Sequence, residues 1–99
     1  MKSAVETRLA ALAAAGETTT YGAMARELGL RVMDLTFQLE TLMEEDAAQG
    51  RPFRAALLSA RGTALPARGF FYKAASLGAD IADPARLVAD HHQMLFTKT

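Results

Sequence analysis

Three groups of residues carry chemical potential: a histidine pair, an acidic run, and a set of arginines with no acid among them. His91 and His92 are neighbours. Adjacent residues on a helix project about 100° apart, so the two imidazoles do not chelate one ion together. Asp83 and Asp90 lie close in sequence, but the i, i+4 histidine spacing of a helical metal site is absent. We expect one imidazole to pack on the core, the other to face water, and neither to hold a metal. Glu44-Glu45-Asp46 reads as a solvated helix face rather than an acid/base pair. No serine stands in a Gly-x-Ser-x-Gly elbow, and there is no glycine-rich phosphate loop. The absence of cysteine excludes disulfides, a thiol nucleophile and thiolate-bound zinc. No catalytic residue, cofactor or enzymatic activity is expected.

The basic residues are more informative. The 11 Lys and Arg balance 11 Asp and Glu, for a formal net charge of zero. That total is unevenly distributed. Residues 1–46 hold Lys2, Arg8, Arg26 and Arg31 against eight acids, residues 47–79 hold Arg51, Arg54, Arg61, Arg68 and Lys73 with no acid, and residues 80–99 are slightly acidic. An acid-free basic stretch suits a phosphate backbone, where each neutralised phosphate releases counterions. It also suits a solubilised hairpin edge with no ligand.

The elements that must position these groups are well punctuated. Ser3 and Glu6 form a capping box, and Val5, Leu9 and Leu12 follow at helical spacing, which predicts a helix over 4–15 ended by Gly16. Thr20 caps a short helix, 21–28, ended by Gly29. Val32, Leu35, Leu39, Leu42 and Met43 give a core stripe for a third helix over about 31–48, with Phe37 on another face. The apolar run 53–59 reads as a strand entering a turn at Arg61-Gly62-Thr63, with an irregular return limb through Pro66. A short helix over 70–77 follows, then one over 84–96 opened by Asp83-Pro84. The fold class expected is mainly α: a winged helix-turn-helix with three N-terminal helices, a small β-hairpin wing and C-terminal helices, in one domain of 99 residues.

The stretch Thr19-Thr20-Tyr21-Gly22, with Ala25 and Leu28-Gly29, resembles the DNA-binding domain of the O6-alkylguanine DNA alkyltransferases and alkyltransferase-like proteins. The resemblance spans Gly16 to Gly78. Pro52 and Arg54 fall near that family's Pro-Cys-His-Arg strand, and Gly62, Gly69 and Lys73 resemble its glycine loop and following helix. It implies a winged-helix scaffold and duplex DNA as partner. The departures remove the reaction. Phe53 stands near the place of the alkyl-accepting cysteine, no histidine is nearby, and Leu35 or Thr36 falls where the family has its nucleotide-displacing arginine. Leu57-Leu58 followed by Gly69-Phe70-Phe71 is similar to short bacterial winged-helix proteins.

On this reading Arg54, Arg61, Arg68 and Lys73 contact phosphates, while Tyr21, Arg31 and Gln38 sit near the groove. The acidic third helix and the surplus aromatics Phe37, Phe70, Phe71 and Tyr72 support a second reading, a protein-interaction module or homodimer of the same fold. There is no signal-like N-terminus and no apolar run of about 18 residues, so a cytoplasmic protein with no membrane contact is expected. Arginine outnumbers lysine and alanine is abundant, the usage of a GC-rich bacterial genome.

Overall fold

The computed structural model describes residues 3–97. Within them the order is α1 (Ala4–Ala15), β1 (Thr19–Thr20), α2 (Tyr21–Leu28), α3 (Val32–Ala48), a 3-10 turn (Arg54–Leu57), β2 (Leu58–Ser59), α4 (Arg68–Ser76) and α5 (Pro84–Phe96). Three helices begin at side-chain caps. Ser3 Oγ accepts from the Glu6 N–H, Thr20 Oγ1 from Ala23 and Asp83 Oδ1 from Arg86, each satisfying a donor the first helical turn leaves open. Gly16 and Gly29 end α1 and α2 in the left-handed region, at φ 69° and 67°, which glycine enters without a Cβ penalty.

One apolar core joins every helix. Val5, Leu9 and Leu12 of α1 meet Met24 and Ala25 of α2, Leu35, Leu39, Leu42 and Met43 of α3, Phe53 to Leu58, Phe70 and Ala74 of α4, and Val88 of α5. Phe70 packs edge-on against Phe53, with ring centroids 6.1 Å apart. Val32 belongs to the expected stripe but not to the core. It is the first residue of α3 and remains 49% exposed.

The segment after α3 departs most from expectation. Residues 53–59 form the 3-10 turn and a two-residue strand, not a longer strand. β2 pairs with β1 in parallel, with Thr19 opposite Leu58 and Thr20 opposite Ser59. No antiparallel hairpin forms among the described residues. The return limb begins as one would, with Ala60 N–H donating to Leu65 O at 2.9 Å. Pro66 then lacks the donor needed to continue the ladder.

The 3-10 turn is held by a buried charge network. Asp46, on the last turns of α3, is completely buried. It accepts the Arg54 backbone N–H at 3.0 Å and the Arg54 Nε–H at 3.0 and 3.2 Å, and it lies 3.0 Å from Arg51 Nη2. Arg54 Nη1 donates to Glu6 on α1 at 3.2 Å. Its Nη2 is 3.0 Å from Asp46 Oδ1, without hydrogen-bond geometry to any described group. Asp46 is therefore a buried anchor rather than part of a solvated face.

The histidines also differ from expectation, since both dock α5 onto this segment. Phe53 N–H donates to His91 Nδ1 at 2.7 Å, and the imidazole stacks on the Phe53 ring with centroids 5.0 Å apart. His92 Nε2 lies 2.6 Å from Ala56 O. Burial pushes the His91 pKa below its ordinary value of 6.5, outweighing the opposing pull of Asp90 and Asp46. No helix of the described residues is long and apolar enough to cross a membrane.

Candidate nucleic-acid interface

The cap at Thr20 turns the chain from β1 into α2 and aims the first turn of that helix at the surface. Thr20, Tyr21, Gly22, Ala23, Arg26 and Arg61 line a cleft there. Arg26 comes from one turn further along α2, and Arg61 from the loop that follows β2. That loop is brought to α2 because β2 lies beside β1. A Cβ on Gly22 would meet nothing within 4 Å, so the space above this turn is open.

Tyr21 supports the same edge from beneath. Its Oη accepts the Ala67 N–H at 3.1 Å, tying α2 to the residue before α4. Burial raises its pKa, the Ala67 bond acting the other way, so it is a neutral phenol at neutral pH. Arg68 is exposed and opens α4 directly beyond this contact. Arg26, Arg61 and Arg68 form no salt bridge with another described residue.

The remaining residues expected to touch nucleic acid are placed elsewhere or already paired. Arg54 is held by Asp46 and Glu6, with its side chain only 19% exposed, so its charge is answered inside the protein. Lys73 Nζ lies 2.6 Å from Glu44 Oε2, joining α4 to α3. Arg31 donates to Asp34 at 2.9 Å. That hydrogen bond raises the arginine pKa and lowers the aspartate's. Gln38 lines a groove with Ser3, the cap of α1, and Glu6, in which Tyr21 has no part. Of the seven residues, Tyr21 and Arg61 line one cleft, and Arg68 follows the Ala67 that Tyr21 binds. Arg26, which sequence reasoning missed, joins them. Its signal was its place five residues after Tyr21 on the capped helix, with no acid at i+3 or i+4.

The outward face of α3 is unsuited to reading bases. Met33, Phe37, Glu40 and Glu44 recur at helical spacing there, and Met33 and Phe37 are 75% and 72% exposed. Major-groove readers present Arg, Lys, Asn or Gln to base edges, and carboxylates oppose the phosphates on either side. Beneath the other flank of α3 a cavity of about 120 Å³ is lined by Tyr21, Val32, Thr36, Leu39, Met43 and Phe70 among others. It is mostly apolar, with Glu40 the one carboxylate in its lining.

No family model, curated protein or solved structure matches the chain.

Proposed function

We propose that this chain is a reduced winged helix-turn-helix protein that binds duplex DNA through its phosphate backbone, without catalysis and without reading bases. The observation that carries the reading is the convergence of Arg26 and Arg61 on one open cleft at the start of α2. Exposed backbone N–H groups at a helix start and arginines beside them are phosphate-binding chemistry. The order helix, strand, helix, helix, strand supports the winged-helix reading. Residues 60–67 take the place of the wing, shortened to a turn. Arg68 extends the basic edge, and Tyr21 positions it. A cytoplasmic location belongs to the same proposal.

The test is fluorescence anisotropy with a labelled duplex of random sequence over a range of salt concentrations. Affinity is expected to fall as salt rises. The Arg61→Ala/Arg68→Ala variant is expected to weaken binding and reduce the log–log salt slope by about one for each phosphate no longer neutralised. AT-rich and GC-rich duplexes are expected to bind alike, because no base-reading side chain is presented. Unchanged affinity and slope in the double variant refute the reading. Gly22→Glu adds a carboxylate at an open, unstrained position, so it is expected to abolish binding while leaving the melting temperature in place.

A further inference from the structure

The outward face of α3 is independent of the basic edge. Met33 and Phe37 stand one turn apart and exposed, and Val32 adds a half-exposed edge. Adjacent exposed apolar side chains rimmed by polar groups are a signature of an interaction site. Among the described residues the unpaired charges of its rim have one sign, since Arg31 and Lys73 are held by Asp34 and Glu44. Glu40 lies on one flank of Phe37 and Glu45 on the other, and neither forms a salt bridge with a described residue. Glu44 lies below, already held by Lys73. Beside Phe37 a groove of about 210 Å³ runs between α3 and the start of α1, its walls including Ser3, Gln38 and Thr41, with Glu6 and Glu45 among its lining residues.

We infer that this face docks a cationic amphipathic polypeptide segment of another protein. Its apolar side chains would cover Met33 and Phe37, and its Lys or Arg side chains would reach Glu40 and Glu45. Charge selects the occupant. A two-fold contact between copies of this chain would set this face against itself and bring Glu40 and Glu45 no free cation, because Arg31 and Lys73 at its ends are already held by Asp34 and Glu44. Like charges facing each other across an interface oppose association, whereas a basic segment turns the same rim attractive. A helix laid along the groove with anchors three or four residues apart matches the spacing of Met33 and Phe37.

The test pans the purified protein against a random dodecamer display library, with the Met33→Ser/Phe37→Ser protein for counter-selection. Both replaced residues are exposed, so the fold is expected to survive. Enriched peptides are expected to carry net positive charge and apolar residues three or four apart. A synthetic consensus peptide is then titrated by anisotropy. Phe37→Ser is expected to weaken it about tenfold, as loss of a central anchor does. Glu40→Gln/Glu45→Gln is expected to weaken it and flatten its salt dependence. Arg61→Ala/Arg68→Ala is expected to leave it unchanged, which separates this face from the duplex-binding edge. Enrichment of neutral or acidic peptides, no enrichment, or full affinity in Phe37→Ser overturns the inference. So does a concentration-dependent dimer in sedimentation that Phe37→Ser abolishes, which would assign the face to a second copy.

Discussion

Replacing Asp46 by alanine should be among the most damaging single changes away from the apolar core. The carboxylate is wholly buried and answers three donors: the Arg54 backbone N–H, the Arg54 guanidinium and Arg51. Removing it leaves Arg54 mostly buried with Glu6 alone, and a backbone N–H unsatisfied. Breaking a buried pair from one side costs about 3–5 kcal/mol. Arg54 retains 19% of its side-chain exposure and Arg51 retains 44%, so solvent answers part of the released charge and the lower end, about 3 kcal/mol, applies. For a domain of this size each kcal/mol moves the midpoint by about 4–8 °C, so melting should fall by roughly 12–24 °C. Urea unfolding at pH 7, followed by far-ultraviolet circular dichroism, measures the loss directly. A companion variant, Asp46→Leu/Arg54→Met, exchanges the pair for apolar groups and should recover part of the stability, the residue-54 backbone N–H remaining without its acceptor. A cost below about 1 kcal/mol for Asp46→Ala, with an unchanged m value, would refute the reasoning, because the network would then contribute no more than a surface pair.

Other variants test the remaining contacts. Ser3→Ala removes the α1 cap and should cost about 1 kcal/mol by urea midpoint. Leu57→Ala opens a void where α1, α3 and α5 meet the 3-10 turn and should cost about 3–4 kcal/mol in the same assay. Tyr21→Phe leaves the Ala67 N–H without its acceptor, and a loss of about 1 kcal/mol is expected, with weaker duplex binding as the basic edge loosens. Stability should also depend on pH through His91. Its folded-state pKa lies below the unfolded value, so the folded protein binds fewer protons, and stability present above about pH 6.5 declines as pH falls through the folded pKa. Protonation places a hydrogen on Nδ1 and ends its acceptance from Phe53. His91→Asn keeps an acceptor without titrating there, so it should flatten the slope between pH 7 and 5.5. A second decline below about pH 4.5 is expected from Glu6 and Asp34, whose pKa values are lowered by the Ser3 backbone and Arg31 respectively.

Helix ends were legible in the sequence because they are local. Ser3, Thr20 and Asp83 mark the starts of α1, α2 and α5, and Gly16 and Gly29 close the first two, so these helices lie where the residues predict. The segment 53–59 was not legible. Its apolar run reads as a strand by composition, yet its backbone is bent into a 3-10 turn that a distant carboxylate holds. Asp46 stood inside a run of acids, where solvation is the ordinary inference. One clue was present: Leu39, Leu42, Met43 and Asp46 continue the apolar stripe at i, i+3, i+4 and i+7, so Asp46 had to face inward. The acid-free basic stretch was legible as a feature, and Arg54, Arg61, Arg68 and Lys73 were read from it as phosphate contacts. Three of its five cations are paired with acids from other segments, a pairing that only the fold reveals.

The parallel pairing of β1 and β2 has a kinetic consequence. It joins residues about forty positions apart, and closing a loop of that length costs entropy that two residue pairs cannot repay alone. The pairing must therefore wait for α2, α3 and the 3-10 turn to dock, and it should be among the first interactions to break in any partial opening. Conservative substitutions at Thr19 and Ser59 should mainly accelerate unfolding, whereas core substitutions in α3 should slow folding. Arg61 reaches the α2 cleft only while that pairing holds. The basic edge is thus the last surface assembled and the first dismantled, so a chain that has only partly folded carries its arginines without the cleft that brings Arg26 and Arg61 together.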